Sequence, residues 1–179
     1  MKYFPSSLHK KGGRRVSSIF SSDAWAKIWT YWETFLLGLF NTVRTALFGV
    51  ILSLILGIIF GLLSTSGKKP LRIISRIYVE LIQNTPLLLQ ICFLYYALAF
   101  AKCGMGIITT GIISLGIYHG AYMSEVFRAG IMAIPKGQFE AAESQGFNYI
   151  EKMFYIILPQ SIKIILPPMV NQIVNLIKN

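Results

Sequence analysis

Charge is scarce in this sequence. Only 13% of its 179 residues are Asp, Glu, Lys or Arg, against roughly 25% in an average soluble domain. The shortage is concentrated in long uncharged runs, and 54% of the chain is apolar, which points to lipid as the solvent of much of it. Cysteine is nearly absent. Cys92 and Cys103 have no CxxC or metal-ligand spacing, so a disulfide framework is excluded and both read as small apolar side chains. Acids are outnumbered by bases, 7 to 17, for a net charge of +10. That excess does not indicate nucleic acid. The cations flank the apolar runs, at 2–15, 68–76 and 128–163, where membrane topology uses them. Catalytic signatures are missing too: there is no P-loop, nucleophile elbow, HExxH or metal pair. The chain is therefore expected to be no enzyme and to need no cofactor, with any energy coming from another chain. No cleaved signal peptide is expected, because residues 16–34 are polar and aromatic, with Asp23, Lys27 and Glu33.

What remains is a set of apolar runs. Residues 46–63 contain one polar member, Ser53, and with 35–45 ahead of them exceed the roughly 20 residues of a membrane-crossing helix. Gly57 and Gly61 stand four apart, a spacing that lets another helix approach closely. Residues 81–101 and 104–124 are two further uncharged runs, continuous and not alternating, hence helical. Residues 164–177, with Pro167 and Pro168, would rise only about 21 Å as a helix, short for a span. The fold class is thus all-α, a polytopic helical membrane protein. A basic and aromatic segment, 1–34, precedes a transmembrane domain, 35–179, with spans near 35–63, 78–101 and 104–127 and a partial one at 161–179. The positive-inside rule places 64–76 and 128–163 in the cytoplasm and the small loop 102–106 outside. The N-terminus then falls outside, against the sign of its own basic cluster, unless that cluster lies along the membrane surface.

Residues 135–159 read PKGQFEAAESQGFNYIEKMFYIILP. Pro135 suits the start of a helix, since its missing N–H is not needed there. A short helix is expected at 138–145, with Ala141 and Ala142 keeping its surface low for a partner groove. Glu140 and Glu143 are expected near its start, where negative charge suits the helix dipole. Gly146 fits a left-handed cap with Phe147 folding back. A second helix is expected from Tyr149 to Leu158, interrupted by Pro159.

Glu140-Ala141-Ala142, three residues, Gly146, nine residues, then Ile156-x-Leu158-Pro159 resembles the EAA loop of permease subunits in binding-protein-dependent ABC importers. The flanks resemble the polar amino-acid branch, of histidine and glutamine type: Tyr78-Val79-Glu80, Asn84-Thr85-Pro86-Leu87-Leu88, Ala121-Tyr122 with Glu125, Arg128-Ala129-Gly130 and Ile134-Pro135-Lys136-Gly137-Gln138. The resemblance covers about 37–179. It implies the MetI-like importer-permease fold in the bacterial cytoplasmic membrane and a translocation path for a polar amino acid. It also implies a loop, carried by Glu140, Ala141, Ala142, Gly146, Leu158 and Pro159, that docks into a separate ATP-binding cassette ATPase subunit. The other implied partners are an extracytoplasmic solute-binding protein, a second permease subunit (identical or different) and membrane lipid, with no nucleic acid. Members of the family continue past Leu176-Ile177-Lys178-Asn179 with a further span, so this chain is expected to be truncated and inactive or unstable alone.

Polar groups within the runs are candidates for function. Asn171 and Asn175 share a helix face with Gln172 beside it, and uncharged amides suit a zwitterion without burying a fixed charge. Gln90 is a further pathway candidate, with Tyr95 and Tyr96 weaker ones. Gln83-Asn84-Thr85-Pro86 is either a break lining a cavity or a capped helix start. Glu125 and Arg128 are spaced to pair, and His119 reads as a packing residue. Competing readings are a structural or channel-like subunit without ATP coupling, which leaves the 135–159 loop unexplained, an inactive truncated permease fragment, and an intramembrane enzyme, which would need a set of carboxylates or histidines where the uncharged runs offer only His119.

Overall fold

Hydrocarbon cannot hydrogen-bond a peptide group, so each uncharged run closes its backbone bonds internally as helix. The computed structural model describes residues 29–102 and 105–179. The basic cluster at 2–15 and Cys103 lie outside the described residues. Six helices follow in chain order: α1 Trp32–Thr65, α2 Lys69–Gln83, α3 Leu87–Phe100, α4 Ile107–Met132, α5 Lys136–Ser144 and α6 Tyr149–Lys178. No strand occurs among the described residues.

The chain divides into two compact units, Met1–Asn41 and Thr42–Asn179. In the first, Trp32, Phe35, Leu36, Leu37, Leu39 and Phe40 are all exposed. Every residue from 31 to 40 is exposed, on all sides of the helix, the pattern of a segment surrounded by lipid. The rest of the fold lies in the second unit.

Two described helices are long and apolar enough to cross a membrane, α1 and α6; α2 and α3 pass the same test only as a pair. The 78–101 run is broken by a sharp bend. α2 ends at Gln83, α3 begins at Leu87, and the two are bent by 102°. Pro86 has no N–H and disfavours helix at Thr85, so the run must break there. α3 alone rises about 21 Å, short of a hydrocarbon core of about 30 Å. α2 instead presents three faces. Ser75, Val79 and Ile82 are buried; Ile73, Ile74, Ile77 and Leu81 are exposed; Arg72, Arg76 and Glu80 form a charged strip between them.

The C-terminal stretch is also longer than expected. Pro159 does not interrupt it: α6 runs 30 residues without a gap. The reason is a π-helical segment at Lys152–Ile157, in which the Leu158 N–H reaches back five residues to the Met153 carbonyl. That wider turn moves the preceding carbonyls away from the proline ring. Pro167 and Pro168 lie within the helix, on exposed positions.

α4 is the central element, packed against α2, α3 and α6. Its composition is small and polar because protein, not lipid, covers it: Thr110, Ser114, Gly116, His119, Gly120, Ala121 and Ser124 are buried. Its contact with α1 is reciprocal. A methyl group on Gly61 would stand 2.6 Å from Cβ of Phe127, and one on Gly120 would stand 2.9 Å from Cβ of Leu56 and 2.8 Å from the Tyr78 hydroxyl. Gly57 faces Met123, and Gly116 faces Leu52, at similarly forbidding range. The spacing of Gly57 and Gly61 thus serves the close approach expected of it. α2 is tied to this pair by polar bonds. Ser75 Oγ donates to the Phe60 carbonyl at 2.8 Å, Tyr78 Oη donates to the Ile117 carbonyl at 2.7 Å, and the Tyr78 ring stacks on Phe60 at 4.0 Å.

Replacing Gly120 with Ala should destabilise the protein by about 1–3 kcal/mol through overpacking, whereas Gly111→Ala, whose added carbon meets only Thr45 at 3.9 Å, should not. Thermal unfolding of both variants in detergent checks this. Equal midpoints would show that the α1–α4 contact is not sterically saturated.

Candidate functional site

The hairpin between α4 and the body of α6 is built from local rules that can be followed bond by bond. α5 starts at Lys136, two residues before the expected position, with Pro135 as its extended N-cap. It ends in a Schellman motif. The Gly146 N–H donates to the Glu143 carbonyl at 3.0 Å and the Phe147 N–H to the Ala142 carbonyl at 3.2 Å. Gly146 has φ +83°, the left-handed conformation in which a Cβ is strained. Two residues on, Asn148 opens α6 with a capping box. Its Oδ1 accepts from the Glu151 N–H at 3.0 Å, and its own N–H donates to Glu151 Oε2 at 2.9 Å. Asn148 and Glu151 were not singled out from sequence, although Asn-x-x-Glu ahead of an apolar stretch is the recognisable signal.

Two expectations about this hairpin are corrected. Glu143 does not sit near the start of α5 but in its last turn, where the dipole disfavours a carboxylate. Its charge is met instead by Lys152, whose ammonium contacts the Glu143 carboxylate and lies 5.8 Å from the centre of the Phe139 ring. The Lys152 side chain is only 9% exposed, so the hairpin closes over its stem. The alanines also part company. Ala141 is exposed, but Ala142 is 1% exposed and faces into the hairpin. Ala142 is small because the following turn folds onto it; Ala141 and the exposed Glu140 are what a partner would meet. Leu158 packs on the hairpin's core of Ile131, Ile134, Met153 and Ile157. Pro159 is exposed. Leu62 at the end of α1 joins the same core, so this hairpin is fused to the ends of α1 and α4.

The polar candidates separate. Gln172 and Asn175 line a cavity of about 330 Å³ together with Tyr118, His119 and Tyr122 of α4. The Tyr118 and Tyr122 rings are tilted at 50° with centroids 5.1 Å apart and hydroxyls 3.2 Å apart, and His119 meets the Tyr118 ring edge-on at 5.3 Å. His119 is buried, and its Nδ1 has no hydrogen-bond partner among the described residues. His119 therefore faces the cavity as well as packing. Asn171 is exposed and does not line it. Gln90 is elsewhere: its amide nitrogen donates to the carbonyls of Ile82, at 2.8 Å, and Thr85, at 2.9 Å. It thereby satisfies backbone acceptors that the α2–α3 break leaves open, within an apolar recess of about 800 Å³. Glu125 and Arg128 pair at 2.7 Å.

Comparison with known proteins follows this geometry. The family described as "Binding-protein-dependent transport system inner membrane component" matches residues 53–179. The chain is 40% identical over 142 residues, 79% of its length, to the "Probable glutamine ABC transporter permease protein GlnM" of Bacillus subtilis. It is 32% identical over 150 residues, 84% of its length, to the "L-cystine transport system permease protein TcyB" of the same organism. The matches cover 66% and 64% of those relatives, so the chain spans about two thirds of their length. Among solved structures it is similar to one titled "Crystal structure of an amino acid ABC transporter with histidines", with TM-score 0.75 and 34% identity over 86% of this chain and 72% of that one. A methionine ABC transporter in inward-facing conformations has the same fold at TM-score 0.61 and 18% identity, over 89% and 74% of the two chains. The expected all-helical importer-permease fold is therefore the observed one.

Gly146→Ala adds a Cβ that meets nothing within 4 Å, so its cost is confined to the backbone, about 1–2 kcal/mol. Hydrogen exchange at the Gly146 and Phe147 amides should accelerate by about tenfold or more while α4 amides are unchanged. Unaltered exchange at those two amides would show that the turn does not depend on its left-handed residue.

Proposed function

The chain belongs to the family of binding-protein-dependent transport system inner membrane components, integral membrane proteins, and on that premise we propose that it is the permease subunit of a bacterial ATP-driven importer for a polar amino acid, set in the cytoplasmic membrane. One observation carries this reading above the others. The 135–159 hairpin presents Glu140 and Ala141 outward from a Schellman turn, while its inner side shares one apolar core with the ends of α1 and α4. A partner that grips the outer side moves the spans, because no loose joint lies between them. A structural subunit without ATP coupling has no use for such a coupler.

In this reading a separate ATP-binding cassette subunit takes the hairpin in a cleft, and its closure on ATP rocks α1 and α4. The spans then open toward an extracytoplasmic solute-binding protein, with a second permease subunit completing the path. The cavity of Gln172, Asn175, His119, Tyr118 and Tyr122 is the solute-facing part. Amides, hydroxyls, an imidazole and the Lys178 ammonium supply both donors and acceptors, and neither Asp nor Glu is among the residues lining it. That favours an uncharged polar side chain over a cationic one. The relatives named for glutamine and cystine fit this class.

The test has two arms, read in the assembled transporter. Gly146→Asp distorts the coupler without touching a span, and should abolish co-purification of the ATPase subunit in detergent. Gln172→Leu with Asn175→Leu should leave co-purification intact and reduce uptake of the solute by about tenfold or more. ATPase binding unaffected by Gly146→Asp removes the coupling role of the hairpin, and wild-type uptake by the double variant removes the solute role of the cavity.

A further inference from the structure

At the cytoplasmic ends of α1, α2 and α4 lies a cleft of about 350 Å³ that the transport reading does not use. Three guanidinium groups line it, Arg72 and Arg76 from α2 and Arg128 from α4, with two carboxylates, Glu80 and Glu125. Each carboxylate is already engaged by a neighbour on its own helix: Arg76 to Glu80 at 2.6 Å and Arg128 to Glu125 at 2.7 Å. Three positive and two negative groups leave one positive charge over. It belongs to Arg72, which has no ion pair among the described residues. Ser75, at the back of the cleft, spends its proton on the Phe60 carbonyl, so guanidinium N–H groups are the donors on offer to an acceptor-rich ligand.

We propose that this cleft binds the phosphodiester headgroup of an anionic phospholipid of the cytoplasmic leaflet. The chemistry is that of any phosphate: a planar guanidinium donates two parallel bonds to its oxygens. The surroundings select a lipid. Around α2 the charged strip of Arg72 and Arg76 adjoins the exposed stripe of Ile73, Ile74, Ile77 and Leu81. α2 is an amphipathic helix bent away from α3 by 102°, as expected of a helix lying in the interface. A ligand with a phosphate and acyl chains satisfies both faces at once, whereas free phosphate satisfies only the first. Basic pockets between helices on the cytoplasmic side are where anionic headgroups bind. The inference rests on the membrane reading above for its sidedness, and on the arginine geometry for its ligand.

The protein in phosphatidylcholine nanodiscs containing a minor fraction of phosphatidylglycerol is re-extracted in mild detergent, and the retained phosphatidylglycerol is counted by mass spectrometry. Arg72→Gln should lower retention about fivefold, Arg72→Lys should keep most of it, and Lys163→Gln, an exposed cation on α6, should change nothing. Retention unaffected by Arg72→Gln, or reduced equally by Lys163→Gln, overturns the site. Displacement of the lipid by millimolar inorganic phosphate overturns the lipid assignment in favour of a small-anion site. ATPase co-purification measured on the same samples separates the two readings: if it persists while Arg72 has no effect, only the lipid site fails.

Discussion

The close approach of α1 and α4 is the contact on which the other placements depend. Gly57 and Gly61 accept Met123 and Phe127, and Gly116 and Gly120 accept Leu52 and Leu56. In lipid there is little hydrophobic drive to bring two helices together, so van der Waals contact at short range has to supply it. Removing the Cβ atoms is how that range is reached. The consequence extends well beyond the contact. Phe60, one residue from Gly61, supplies both the ring on which Tyr78 stacks and the carbonyl that Ser75 uses. Leu62, one residue further, enters the core of the 135–159 hairpin. One helix pair thus sets the seat of α2 and the footing of the hairpin.

The hairpin shows how a surface element is held in one geometry. Its apolar core is small, and a core of Ile131, Ile134, Met153 and Ile157 does not by itself define one geometry. Directional bonds do: the Schellman turn at Gly146, the capping box of Asn148 and Glu151, and the Lys152 ammonium held between Glu143 and Phe139. Each fixes a different joint, namely the exit of α5, the entry of α6 and the angle between them. The π-helical segment at Lys152–Ile157 begins at that same lysine. Such segments cost hydrogen-bond quality and persist where surrounding contacts hold them. Here Met153 and Ile157, both buried, are the residues so held.

Much of this was legible in the residues, and what was not has a common cause. Local signals read true: Gly146 as a left-handed cap, Glu125 and Arg128 as a pair, Gly57 and Gly61 as a close-contact face. Each depends on neighbours within a few positions. The misreadings all concern what tertiary packing does to a local rule. Pro159 would break an isolated α-helix, but a π turn pinned by the hairpin core absorbs it. Glu143 fell in an unfavourable last turn because α5 began earlier, and only a lysine nine residues later makes that tolerable. Ala142 turned inward because of a fold-back that sequence spacing does not specify. Of the four pathway candidates, only Gln172 and Asn175 came together, since a shared face on α6 does not reveal which part of it α4 covers.

Gln90 marks the limit of such reading most clearly. A lone glutamine in an apolar run is expected to face a solute or another helix. Yet Pro86, three residues past the end of α2, offers no N–H to the Ile82 carbonyl, which is left with a 3.3 Å bond from the Thr85 N–H, and the Thr85 carbonyl lies in the same break; in an apolar recess a poorly met acceptor is costly. Gln90 is one turn into α3, within reach of both, and it carries two amide hydrogens. Its chemistry is therefore consumed in making the break affordable. The break frees α2 from the direction of α3, and an independent α2 is what brings Arg72 and Arg76 to the cleft beside Arg128. A residue that looks like a transport site from its composition is, from its bonds, the condition for an interfacial helix.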